Sequence, residues 1–254
     1  MKTEGEARLV AMAEDDGAPA PAVDSTLLGD LIVANRILFA HRVVDAFGHV
    51  SVRHDKDPSR FLLARNMAPG LVAEEDIVEF HLDGRPVTAR GRQVYLERFI
   101  HGEIYRVRPD VAAVVHSHAP EVVPFSVVKS VALQPIWHMS GFLGAGTPTF
   151  EIRDAAGDSS DLLIRSNSLG DALAQKLGSA QVVLMRGHGA TVVGQNLRQA
   201  VFRAVYTQMN AELQLRAMQL GEVNFLTPGE AIATTESVGS QVDRAWGLWK
   251  SEVV

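Results

Sequence analysis

The sequence predicts an α/β fold in which a mostly antiparallel sheet is covered by helices. Three observations predict it. Short runs at 49–53, 61–64 and 77–80, rich in apolar and β-branched residues, succeed one another with turn chemistry between them, the last ending at Asp83-Gly84. Longer stretches with apolar residues at helical spacing, above all 27–48 and 197–220, flank them. The 254 residues are 46% hydrophobic and 21% charged, enough apolar material for a sizeable core and too much for a disordered chain.

Residues 1–24, running through Gly17-Ala18-Pro19-Ala20-Pro21, lack periodicity and are expected to form a flexible tail, leaving 25–254 as one domain. Asp24 and Ser25 are caps for a helix carrying Leu27, Leu28, Leu31, Ile32, Ile37 and Leu38, which Gly48 ends. After the three strands, Tyr95 to Val107 reads as helix, Val111 to His118 as strand, and Ala119 to Lys129 as helix behind Pro120. Pro135 to His138 and Thr149 to Arg153 read as strands, joined by the glycine-rich loop Gly141 to Gly146. Ser168 to Leu177 is helical and stops at Gly178. Strands Gln181 to Met185 and Ala190 to Val193 enclose a Gly-His-Gly turn. A long helix, Leu197 to Leu220, precedes a C-terminal segment whose Trp246 and Trp249 pack on their own core or cap a neighbouring subunit's pocket.

Composition removes several function classes. A formal charge of −6 provides no basic field for phosphates, so no nucleic-acid partner is expected. No run approaches the roughly 18 apolar residues of a membrane span, and the N-terminus lacks a signal pattern, so a cytoplasmic protein with no membrane partner is expected. The absence of cysteine excludes thiolate metal sites and cysteine nucleophiles. Any metal must therefore be held by His, Asp or Glu.

Of nine histidines, His41, His54 and His81 stand in polar or helix-face surroundings and read as structural. His116 and His118 differ. They close the apolar run Val111 to Val115, and the period of two puts both imidazoles on one face, either as two ligands of one ion or as polar strand-end residues. His188 lies between Gly187 and Gly189, where the backbone is free to adopt unusual angles. Three neutral imidazoles suit a divalent ion such as Zn, Mn, Fe or Co and leave coordination positions open for catalysis. Glu97, in the mostly apolar stretch Val94 to Ile100, is the carboxylate candidate, as a metal ligand, a proton carrier, or merely a partner of Arg98 or His101.

Gly48-His49-Val50-Ser51-Val52-Arg53, then Glu97 ahead of His116-Ser117-His118, then Arg186-Gly187-His188-Gly189 before a long helix, together resemble the class II aldolase/adducin family over about Leu27 to Leu220. The resemblance implies a three-layer α/β/α sandwich around a central, largely antiparallel sheet. It also implies one divalent ion per subunit on His116, His118 and His188, Glu97 as acid/base or fourth ligand, and a homotetramer with active sites between subunits.

Where sugar-phosphate aldolases of the family carry Gly-Asn, a Thr-Pro-x-Gly turn and a Ser-Ser pair as a phosphate cradle, this chain has Gly48-His49, Ala64 to Gly70, and Tyr95-Leu96. Arg65 offers a planar fork suited to a carboxylate, and Tyr95 and Leu96 could pack on a flat ring. The pattern Tyr95 to Tyr105, with Ile136 to Met139 and Gly141 to Gly144, is similar to the branch containing hydroxy-methylpyridine-dicarboxylate decarboxylases. That similarity implies decarboxylation of a hydroxylated aromatic or heteroaromatic dicarboxylate through a metal-stabilised, enolate-like intermediate. His49, Arg65 and Tyr95 would bind the substrate, and Glu97 or His138 would deliver a proton; His138 also reads as a buried loop histidine. The alternatives are an aldolase or epimerase acting on a sugar phosphate or hydroxy-keto acid, a non-haem iron oxygenase, and a non-enzymatic interaction protein.

Overall fold

The structure, a computed structural model, describes residues 21–254; most of the expected N-terminal tail lies outside the described residues. Seven strands form one sheet: β1 (His49–Arg53), β2 (Arg60–Ala64), β3 (Ile77–His81), β4 (Ala113–Ser117), β5 (Thr149–Phe150), β6 (Val182–Met185) and β7 (Gly189–Gly194). Their order is β3-β2-β1-β4-β7-β6-β5, antiparallel throughout except for the parallel pair β5 and β6. The helices are α1 (Ser25–Ala40), α2 (Arg98–Val107), α3 (Val123–Val127), α4 (Arg153–Ala156), α5 (Asn167–Leu177), α6 (Leu197–Leu220), α7 (Pro228–Gly239) and α8 (Val242–Val253).

Period-two alternation divides the core between the two faces of this sheet. Val50, Val52, Val115 and Val192 join residues of α1, α6 and α8 in one apolar cluster. Val114, Val183 and Val193 join residues of α2 and α5 in the other. The result is the expected three-layer α/β/α sandwich, and it leaves His116, two residues from Val114, on the face covered by α2.

Four local expectations change. α1 stops at Ala40 rather than Gly48, because Arg42 turns the chain with φ +59° and Asp45 accepts from the Phe47 N–H at 2.8 Å. The helix expected at 119–129 shrinks to α3, with Pro124 in its first turn. The strand expected at Thr149 to Arg153 ends at Phe150 and gives way to α4. Pro135 to His138 is no strand, because its backbone bonds to side chains of α6. Asn210 Oδ1 accepts from the Ile136 N–H (3.0 Å), Asn210 Nδ2 donates to Gln134 O (2.8 Å), and Gln214 Oε1 accepts from the Gln134 N–H (3.0 Å). The glycine-rich run after it forms tight turns beneath α7, where a Cβ on Gly141 would come within 2.5 Å of Ala231 O. Trp246 and Trp249 are buried in the chain's own core; Trp249 packs on His41, Phe202 and Tyr206.

Candidate metal centre

Three elements deliver four ligand groups to one point. His116 is on β4 and His118 just beyond it. His188 is at the turn between β6 and β7, and Glu97 immediately precedes α2. The turn depends on its glycines: Gly187 has φ +65°, and a Cβ on Gly189 would come within 2.0 Å of Ser117 O. This close approach seats His188 beside the end of β4. The Nε2 atoms of His116 and His188 each lie 2.9 Å from that of His118, and Glu97 Oε2 lies 3.6 Å from His116 Nε2 and 3.5 Å from His188 Nε2. All four ligand atoms fall within 4.8 Å of one another.

The donor chemistry fits a divalent ion. Burial, reinforced by the neighbouring imidazoles, holds His116 well below the ordinary histidine pKa, and burial and His188 lower His118. Both rings are thus neutral, as ligands must be. His188 Nδ1 lies 3.0 Å from Leu162 O and donates to it, which leaves the Nε2 lone pair facing the cluster. Glu97 Oε1 accepts from the Ile164 N–H at 3.0 Å. The Arg98 guanidinium donates to Gly84 O and Tyr95 O.

The remaining predicted site residues divide. His49 faces His116 across the β1/β4 pairing, its ring 5.0 Å from that of His116 and 4.5 Å from that of Tyr95. Tyr95 donates to Met67 O, and burial pushes its phenol up to about 12. Arg65 Nε pairs with Asp76 Oδ1 at 2.6 Å, and more than a third of its side chain is exposed. His138 is not brought to the cluster: its ring stands edge-on to Trp137 at 5.9 Å. Ser51, His101 and Tyr105, to which the sequence assigns no site role, bond to one another behind His49. A legible signal existed: Glu97, His101 and Tyr105 are spaced four apart, one stripe of a helix, and Ser51 shares the face of His49 by the strand period. A cleft of about 610 Å³ opens at His118, lined also by Phe39, Arg42, Val44, Asp45 and Glu121, a size suited to a small organic molecule.

Residues 29–215 match the model of the Class II Aldolase and Adducin N-terminal domain. The chain is 41% identical over 240 residues to "Decarboxylase tropJ" of Talaromyces stipitatus, covering 85% of this chain and 90% of that protein. It is 30% identical over 247 residues to a 3,4-dihydroxyphthalate decarboxylase of Terrabacter sp., covering 91% and 96%. Among solved structures, an aldolase II superfamily protein from Pseudomonas syringae superposes with a TM-score of 0.76 at 22% identity, covering 92% of this chain and 94% of that one.

Proposed function

Since this chain belongs to the class II aldolase and adducin family, we propose that it is a divalent-metal-dependent carbon–carbon lyase that removes carbon dioxide from a hydroxylated aromatic or heteroaromatic carboxylate. One observation carries the reading: the His116, His118, His188 and Glu97 ligand atoms converge in a chain 41% identical to a decarboxylase. His116, His118 and His188 would hold the ion, and the donor set accepts Zn, Mn, Fe or Co. When bound, the ion supplies Lewis acidity toward negative charge on a substrate oxygen.

The chain's own residues account for the rest. The cleft at His118 admits the substrate, Tyr95 offers a ring face, and Arg42 and Arg65 offer cations for a second carboxylate. The carbon–carbon bond breaks with its electron pair left on the ring carbon, carbon dioxide departs, and Glu97 gives that carbon a proton and is recharged from water. One proton is consumed per carbon dioxide released. Glu97 is favoured over His138 as the carrier because it lies in the cluster and is tethered only through Oε1. We further propose a homotetramer with sites near subunit boundaries, since Phe39 on the cleft and Leu96 beside Glu97 are exposed apolar side chains that a second copy would cover.

The test is carbon dioxide and aldehyde release, under nitrogen, from metal-reconstituted protein given ortho-hydroxy aromatic dicarboxylates and sugar phosphates. Carbon dioxide from an aromatic acid is expected, with kcat reduced about 100-fold or more in Glu97→Gln at unchanged metal content. Aldehyde alone would overturn the reading in favour of an aldolase, and strict dependence on oxygen would favour an oxygenase.

A further inference from the structure

Behind the metal centre runs a line of buried polar groups that the proposed reaction has not yet used. His49 Nδ1 lies 2.7 Å from His101 Nε2, His101 Nδ1 lies 2.6 Å from Ser51 Oγ, and Ser51 Oγ lies 2.7 Å from the Tyr105 hydroxyl. All four side chains are buried: His101 and Ser51 completely, Tyr105 and His49 at 1% and 4% exposure. At its other end the line meets the ligand cluster, where the His49 ring is 5.0 Å from that of His116.

Counting protons gives the line a direction. A buried phenol must place its proton on an acceptor, and among the described residues Ser51 Oγ is the one hydrogen-bonded to Tyr105. Ser51, receiving from Tyr105, has one proton left, and it goes to His101 Nδ1. Burial keeps His101 neutral, so its single proton sits on Nε2 and is donated to His49 Nδ1. His49 then carries its own proton on Nε2, the atom that has no hydrogen-bond partner among the described residues. The reverse direction would strand the Tyr105 proton in the core.

We infer that Tyr105, Ser51 and His101 lock His49 in its Nε2–H tautomer, making it a neutral hydrogen-bond donor to an anionic substrate oxygen beside the ion-binding histidines. His188 has the opposite tautomer, with its Nδ1–H on Leu162 O and its Nε2 lone pair facing inward. Four adjacent imidazoles are thereby sorted into three ligands and one donor, and His49 is kept from becoming a fourth ligand. That the oxygen belongs to an aromatic carboxylate rests on the lyase reading; the tautomer does not. Ser51, His101 and Tyr105 are positioning residues, acting on substrate only through His49.

The test uses the full chain loaded with zinc and labelled with ¹⁵N-histidine. Two-bond ¹H–¹⁵N correlations distinguish the tautomers, and His49→Gln and His101→Gln assign the signals. Both His49 and His101 are expected to show a protonated Nε2 and a bare Nδ1; a protonated Nδ1 on either overturns the lock. Ser51→Ala cuts the line and is expected to give His49 averaged shifts of both tautomers. The same variant should raise KM for the aromatic carboxylate about tenfold with a smaller change in kcat, the loss of one well-aligned hydrogen bond to a charged group. Tyr105→Phe keeps the Ser51 hydroxyl and should have the weaker effect. Unchanged His49 shifts in Ser51→Ala would overturn the positioning role. A protein that shows the expected tautomers yet releases no carbon dioxide from any aromatic acid upholds the lock and overturns the lyase reading.

Discussion

At the scale of single residues, what distinguishes the histidines is what each second ring nitrogen touches. His188 is oriented by the Leu162 carbonyl, His116 has Thr191 Oγ1 3.4 Å from its Nδ1, and His49 is oriented by His101. His116 is wholly buried, its Nε2 2.9 Å from His118 Nε2 and 3.6 Å from Glu97 Oε2, so its loss leaves two imidazoles and one carboxylate for the ion. His116→Ala is therefore expected to lower bound metal, measured by elemental analysis after dialysis, to about a tenth of the wild-type stoichiometry or less, with turnover lost in parallel. Full metal content in that variant would reject the assignment. His116 and His118 were legible as a pair because a strand's period is two, and His188 because glycines on both sides mark an unusual backbone. His49 was legible as a substrate-binding candidate from the family resemblance, but its tautomer was not, since that depends on Tyr105, which is remote in sequence and adjacent in space.

At the scale of elements, α6 acts as a side-chain ladder for the chain at 132–140. Asn210 and Gln214, one turn apart and wholly buried, accept from and donate to backbone groups that a strand would have paired with another strand. Asn210 Oδ1 also accepts from Ser140 Oγ at 2.5 Å. This explains why an apparent strand at Pro135 to His138 stays outside the sheet, and why the glycine-rich loop after it is packed under α7. Asn210→Ala strands several buried backbone and hydroxyl groups at once, at a cost of about 3 kcal/mol. Calorimetry should show a fall of about 10 °C in Tm for a chain of this size. A shift under about 2 °C would mean that the segment is held by its apolar contacts instead.

At the scale of the whole molecule, the polar line beneath the sheet couples stability to pH. Burial pushes His101 down to about 3, whereas in an unfolded chain it titrates near its ordinary value of 6.5. Its folded pKa is depressed, so the stabilisation is complete above about pH 7. Below 6.5 the unfolded chain takes up a proton that the folded chain refuses, and stability falls by about 1.4 kcal/mol per pH unit toward pH 3. The expected outcome is a Tm that is flat from pH 8 to 7 and declines steadily below 6, with a shallower decline in His101→Gln. A Tm that rises on acidification would contradict it.

The fold class and the two-faced sheet are legible from periods of two and of about four, the family from the order and spacing of its motifs, and His116, His118 and His188 as candidate ligands from residue types whose chemistry is local. Which polar residues stand behind the site, and why 135–138 is not a strand, emerge only in the tertiary structure. Each of those depends on a partner far along the chain: Tyr105 for the tautomer of His49, and Asn210 and Gln214 for the backbone at 132–140. Hydrogen-bond direction is a property of a closed network of buried donors and acceptors, and a network exists only once packing has excluded water from all of its members together.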